Sequence, residues 1–139
     1  MSEAKFGCDP RIATPTEPAS PPPWTPGEVG SVHTTGELRG AVEAAAADSG
    51  GFVALKFWRV GCKACAATVE RFASSAKEYP KGRFYLVNYG EAKEMCRASG
   101  LKIVPAAHLY SSGKLQDAVA LGPSSWDAFA ARLKEVADA

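Results

Sequence analysis

The sequence predicts an α/β domain with a central mixed β-sheet and helices on both faces, preceded by a proline-rich extended tail. Three observations carry this. Apolar runs of strand length alternate with stretches of helical period from about residue 31 onward. The last two apolar runs are joined by a Ser-Gly turn where a helix would otherwise stand, which makes them an antiparallel pair. Seven of the ten prolines fall within the first 26 residues, where apolar periodicity is absent. Residues 1–30 are therefore expected as a flexible tail and residues 31–139 as one folded domain, in the order β-α-β-α-β-α-β-β-α.

Each element has a local cause. Thr34 and Glu37 have capping-box spacing, which starts a helix over 35–47 that buries Leu38, Ala41, Val42 and Ala45; Ser49, Gly50 and Gly51 end it. "FVALKFW" (52–58) reads as a strand buried on both faces. A helix is expected from near Cys62, with Cys65, Val69, Phe72 and Ala76 on one face, until Pro80 stops it. "RFYLVNY" (83–89) is the next strand. Residues 91–99 form a short helix with Ala92, Met95, Cys96 and Ser99 inward and Gly100 at its end. "IVPAAHLYSSGKLQDAVALG" (103–122) is the hairpin, and Ser124 caps a last helix carrying Trp126, Phe129, Leu133 and Val136.

Composition narrows the function. A formal net charge of +1 sets up no field for nucleic acid or an anionic membrane surface. No run of eighteen apolar residues exists to span a membrane, and the opening residues lack the apolar core of a secretory signal. Four cysteines at irregular spacing point to a reducing compartment and away from a disulfide framework.

The chemistry centres on "GCKAC". A Cys-x-x-Cys where a strand meets a helix puts Cys62 at unpaired N–H groups that favour a thiolate. Lys63, with Arg59 and Lys56 nearby and no acid until Glu70, favours it further. In that reading Cys62 attacks and Cys65 resolves. Zinc is a competing reading, with one pair plus scattered Cys8, Cys96, His33 and His108 to complete it. A pair that merely packs is the third.

Over residues 31–138 the order of "FVALKFW", "GCKAC", "IVPA" and "SGKLQDAVALGPSSWDAFAARLKEVA" resembles the thioredoxin superfamily. "VGCKAC" and "FYLVNYGEAKEMCRASGLKIVP" are most similar to its atypical chloroplast branch, the cysteine- and histidine-rich type. The resemblance implies a thioredoxin fold and a protein dithiol/disulfide oxidoreductase, with no bound cofactor or metal and with client proteins carrying disulfides or reactive thiols. It implies a chloroplast location, in the stroma or with a plastid complex, and otherwise the cytosol. Catalytic roles would fall to Cys62, Cys65, Lys56 and Lys63. Gly61, Val104 and Pro105 would bind substrate, the Val104–Pro105 bond being cis.

Departures from the family pattern are specific. Gly61 replaces the tryptophan before the first cysteine, and Ala64 replaces the proline or glycine inside the motif. Lys56 stands where thioredoxins carry a buried aspartate, and on a strand covered on both faces it must snorkel out or lose its charge. The branch's histidine enrichment is missing. Cys96 is either a core thiol or a third redox cysteine, and His108 and His33 read as packing or surface residues. The alternative function is a thioredoxin-fold structural or redox-sensing subunit, anchored in a larger complex through residues 1–30.

Overall fold

Phe52–Trp58 lies at the centre of the sheet, where a run without polar alternation belongs because both faces are covered. The computed structural model describes residues 19–98, 101, 104–121 and 123–138. They form β1 (Val29–Ser31), α1 (Thr35–Ala47), β2 (Phe52–Trp58), α2 (Lys63–Ala66), α3 (Val69–Glu78), β3 (Gly82–Asn88), α4 (Lys93–Ala98), β4 (Ala106–Ser111), β5 (Lys114–Ala120) and α5 (Trp126–Asp138). The strand order is β1-β3-β2-β4-β5. β1, β3 and β2 are parallel, with Tyr85 between Gly30 and Leu55. β4 runs antiparallel to β2, placing His108 opposite Leu55, and β5 runs antiparallel to β4. This is the mixed sheet the sequence predicts.

Alternate residues of β2 feed two cores. Val53, Leu55 and Phe57 pack with Leu38 and Val42 of α1 and Met95 of α4. Phe52 and Ala54 pack with Phe72 of α3 and with Phe129 and Leu133 of α5. Each helix lays its apolar stripe on the sheet, and this burial is the main favourable term in folding. The Ser112–Gly113 turn of the hairpin has φ 56° and 78°, the left-handed pair that a two-residue β-hairpin loop requires. β5 alternates half-buried and exposed residues, as an edge strand should.

Ser20–Trp24 of the proline-rich stretch lie against the domain. Ser20 N–H donates to the Gly36 carbonyl at 3.1 Å, Pro22 is buried, and Trp24 packs on the α1 side of the core. The Arg83 guanidinium stacks 4.1 Å from the centre of the Trp24 ring. Gly36 and Gly40 sit one helical turn apart on α1. A Cβ at Gly40 would fall within 2.7 Å of Ser20 N and nearer still to Pro21 N, so the close approach needs glycine there. β1 then takes Val29–Ser31, the first two residues of which come from the stretch expected as tail.

Other differences are local. The helix expected from Cys62 to Pro80 is two helices, α2 and α3, divided at Ala67 and Thr68. Val69, assigned to the buried face, is turned outward and 43% exposed as a result. Thr34 caps α1 as expected, accepting from Glu37 N–H at 3.1 Å, but the Glu37 carboxylate accepts from the His33 N–H and not from the cap residue itself. Residues 123–125 form a 3-10 turn, so α5 starts at Trp126, two residues beyond Ser124. Ser99, Gly100 and Ile103 lie outside the described residues, as does Cys8.

Candidate redox site

The site is built where β2 ends. After Trp58 the chain reverses in a turn closed by Cys62 N–H donating to the Arg59 carbonyl at 3.3 Å. Gly61 is the third residue of that turn, at φ 83° with open space around it. A left-handed position of this kind strains any residue with a side chain, which suits glycine at Gly61.

Cys62 caps α2. Its sulfur accepts from Cys65 N–H at 3.1 Å, and the two cysteines are joined as a disulfide with Cα atoms 5.2 Å apart. Once that bond is reduced, the same N–H is placed to stabilise a Cys62 thiolate. Cys62 is half-buried, whereas Cys65 is 2% exposed. Of the two cysteines, Cys62 is therefore the one that solvent reaches. Lys63 and Arg59 are both exposed beside it.

An apolar groove of about 270 Å³ opens next to the pair, lined by Trp58, Gly61, Cys62, Ala66, Val69 and Leu86 among others. Val69 is 43% exposed in this lining, and Val60, in the turn between Arg59 and Gly61, is 78% exposed. The outward turn of Val69 follows from the break between α2 and α3. Sequence periodicity hid this residue from the site.

Val104 and Pro105 precede β4, whose register sets Ala106 opposite Phe57. That register brings them to the end of the sheet from which the Cys62 turn leaves. The Val104–Pro105 bond is cis; Pro105 is buried, and its carbonyl accepts from Leu121 N–H at 3.0 Å.

Lys56 neither snorkels nor reaches solvent: it is fully enclosed, and its Nζ donates to the Cys65 carbonyl at 2.8 Å. Thr68 Oγ1, also buried, reaches that carbonyl at 3.4 Å. Burial pushes the Lys56 ammonium down to about 8, from an ordinary value of 10.5. Nothing in sequence spacing marks Thr68 as part of the site.

Cys96 is completely buried on α4 in the core that faces α1, and it takes no part in the Cys62–Cys65 bond. His108 is 4% exposed, and its ring meets that of Phe57 edge-on at 4.6 Å, which makes it a packing residue. Burial pushes its pKa down to about 4, against a small opposing pull from Asp117. His33 is exposed beside Glu37. Among the described residues no group of three His, Cys, Asp or Glu side chains converges on a metal position, and no helix is long and apolar enough to cross a membrane.

A five-stranded mixed sheet flanked by helices, a Cys-x-x-Cys after its central strand and a cis-proline before the antiparallel hairpin make up the thioredoxin fold. The protein is similar to chloroplast thioredoxin-like proteins. The chain is 29% identical over 102 residues to thioredoxin-like 2-2, chloroplastic, of Arabidopsis thaliana, covering 69% of this chain and 42% of that protein. It is 28% identical over 128 residues to thioredoxin-like 2, chloroplastic, of Oryza sativa subsp. japonica, covering 77% and 57% respectively. The chain thus spans about half the length of these relatives. It matches no established family model. Among solved structures, spinach chloroplast thioredoxin f (short form) superposes with a TM-score of 0.71 at 20% identity, over 83% of this chain and 98% of that one. Thioredoxin from Halobacterium salinarum superposes with a TM-score of 0.67 at 19% identity, over 84% and 96%.

Proposed function

We propose that this protein is a thioredoxin-like dithiol/disulfide oxidoreductase acting on protein disulfides through Cys62 and Cys65. The observation that carries the reading is the asymmetry of the pair: an accessible sulfur capping a helix, bonded to a buried sulfur one turn further in. In the reducing direction the Cys62 thiolate attacks a client disulfide. A Cys62–client bond forms, the client bond breaks, and the displaced client sulfur leaves as a thiolate that takes up a proton. Cys65, giving up its own proton, then attacks Cys62 Sγ. The Cys62–Cys65 bond forms and the second client sulfur departs, so that two electrons have passed from the pair to the client. The reverse sequence oxidises a client dithiol.

Gly61, Val104 and Pro105, with the apolar groove, form the client platform in this proposal, and exposed Arg59 and Lys63 favour clients with acidic residues near their cysteines. The resemblance to chloroplast proteins supports action in the chloroplast, with stromal clients or a plastid complex. A solved complex of ferredoxin:thioredoxin reductase with thioredoxin f2, whose thioredoxin chain shares this fold at a TM-score of 0.70, supports a protein electron donor. The rival role is a structural or redox-sensing subunit anchored in a larger complex through residues 1–30, of which Ser20 and Trp24 are held against α1 and the core.

The test is reduction of insulin disulfides by the full chain with dithiothreitol as reductant, alongside Cys62→Ser and Cys65→Ser. Turnover above the uncatalysed rate is expected in the parent and absence of turnover in Cys62→Ser. Cys65→Ser should accumulate a mixed disulfide at Cys62. A parent no faster than dithiothreitol alone removes the proposal.

A further inference from the structure

A buried lysine in the middle of a sheet needs an explanation. Lys56 lies between Leu86 of β3 and Ala107 of β4, fully enclosed, and among the described residues no carboxylate pairs with it. Burying an ammonium without a counter-ion costs several kcal/mol, and a methionine of similar length would fill the space without that cost. What the lysine does make is a hydrogen bond to the one carbonyl that belongs to the resolving cysteine.

That carbonyl stands where the helical ladder breaks. α2 ends at Ala66, α3 begins at Val69, and between them the Cys65 carbonyl accepts from Lys56 Nζ at 2.8 Å and from the Thr68 N–H and Oγ1 at 3.4 Å each. A rigid strand thereby holds the backbone of Cys65 from below. It does so with a positive charge.

We infer that Lys56 is a positioning residue that anchors Cys65 through its carbonyl and, by placing a cation beneath the pair, favours the dithiol over the disulfide. The inference rests on the dithiol/disulfide reading above. Reducing the Cys62–Cys65 bond with glutathione breaks that bond, oxidises two glutathione thiols to one glutathione disulfide and transfers two electrons to the pair. One of the two sulfurs keeps its charge as a thiolate while the other takes a proton, and the second proton goes to solvent. A disulfide carries no charge for the Lys56 ammonium to stabilise, whereas a thiolate does. By reciprocity the thiolate holds the proton on Lys56 more tightly.

The experiment equilibrates the full chain, Lys56→Met and Lys56→Gln with glutathione mixtures at neutral pH and measures the disulfide fraction by alkylation and mass spectrometry. The equilibrium constant for disulfide formation should rise about tenfold in both variants, because each removes the charge while Gln keeps a donor. Values within about twofold of the parent, in variants with a native circular-dichroism spectrum, overturn the inference and leave the oxidoreductase reading standing. If neither variant folds, the parent decides: NMR titration of the Lys56 Nζ should give a higher pKa in the dithiol than in the disulfide form, and equal values overturn the inference. A parent that forms no Cys62–Cys65 disulfide at any glutathione ratio overturns both readings.

Discussion

Replacing Gly40 with alanine has opposite expected signs depending on whether Ser20–Trp24 is part of the folded unit. In the interior of a solvent-facing helix, Gly→Ala stabilises by about 1 kcal/mol, because alanine loses less backbone entropy on folding. Here the new methyl would sit within 2.7 Å of Ser20 N, and the obstacle is backbone that cannot rotate away. The segment must lift. Its departure loses the Ser20–Gly36 hydrogen bond, at about 1 kcal/mol. It also loses the stacking of Arg83 on Trp24, at about 1–2 kcal/mol. Set against the helix-propensity gain, the net is a destabilisation of about 1–2 kcal/mol. Urea denaturation of the full chain, followed by far-ultraviolet circular dichroism, reads the change as a lower midpoint at unchanged slope. A midpoint that rises by the amount expected for an open helix would refute the docking of residues 19–24, and with it their place in the folded unit.

Two further predictions concern single residues. His108 is held neutral by burial, with a folded pKa near 4 against 6.5 unfolded, so the unfolded chain binds more protons between those values. Its contribution is fully present above pH 6.5 and is lost as pH falls toward 4, a change of about 3 kcal/mol; His108→Leu should remove that part of the slope, and an unchanged profile would show that the buried ring does not govern it. Gly61→Trp, which restores the residue thioredoxins carry there, forces a side chain onto φ 83° and should destabilise by about 1–2 kcal/mol in the same urea assay. No loss of stability would show that the turn has another conformation open to it.

Much of this architecture is legible in the residues. β2 could be read because burial on both faces leaves an unbroken apolar run, and for the same reason Lys56 stood out as an anomaly within it. The capped start of α1 and the Ser-Gly hairpin follow from short-range chemistry that a sequence displays directly. The division between α2 and α3 does not; it falls where a lysine nine residues away, on another element, donates to the Cys65 carbonyl, a contact no local pattern displays. A helical period carried across Thr68 points Val69 inward, whereas the break turns it outward. The docking of Ser20–Trp24 is hidden too: a proline-rich segment has no period to read, and its seat is the absence of a side chain at Gly40 together with the Gly36 carbonyl.

The central claim is that Cys62 and Cys65 form a working redox couple, and a thiol-trapping titration of the full chain tests it most directly. Chains equilibrated across a series of dithiothreitol ratios and then glutathione ratios would be quenched with a mass-tagged alkylating agent and counted by modified cysteines. The account predicts one reversible two-electron transition between about −300 and −180 mV, lost in Cys62→Ser and in Cys65→Ser alike. Two permanently alkylatable cysteines across that whole range would contradict it.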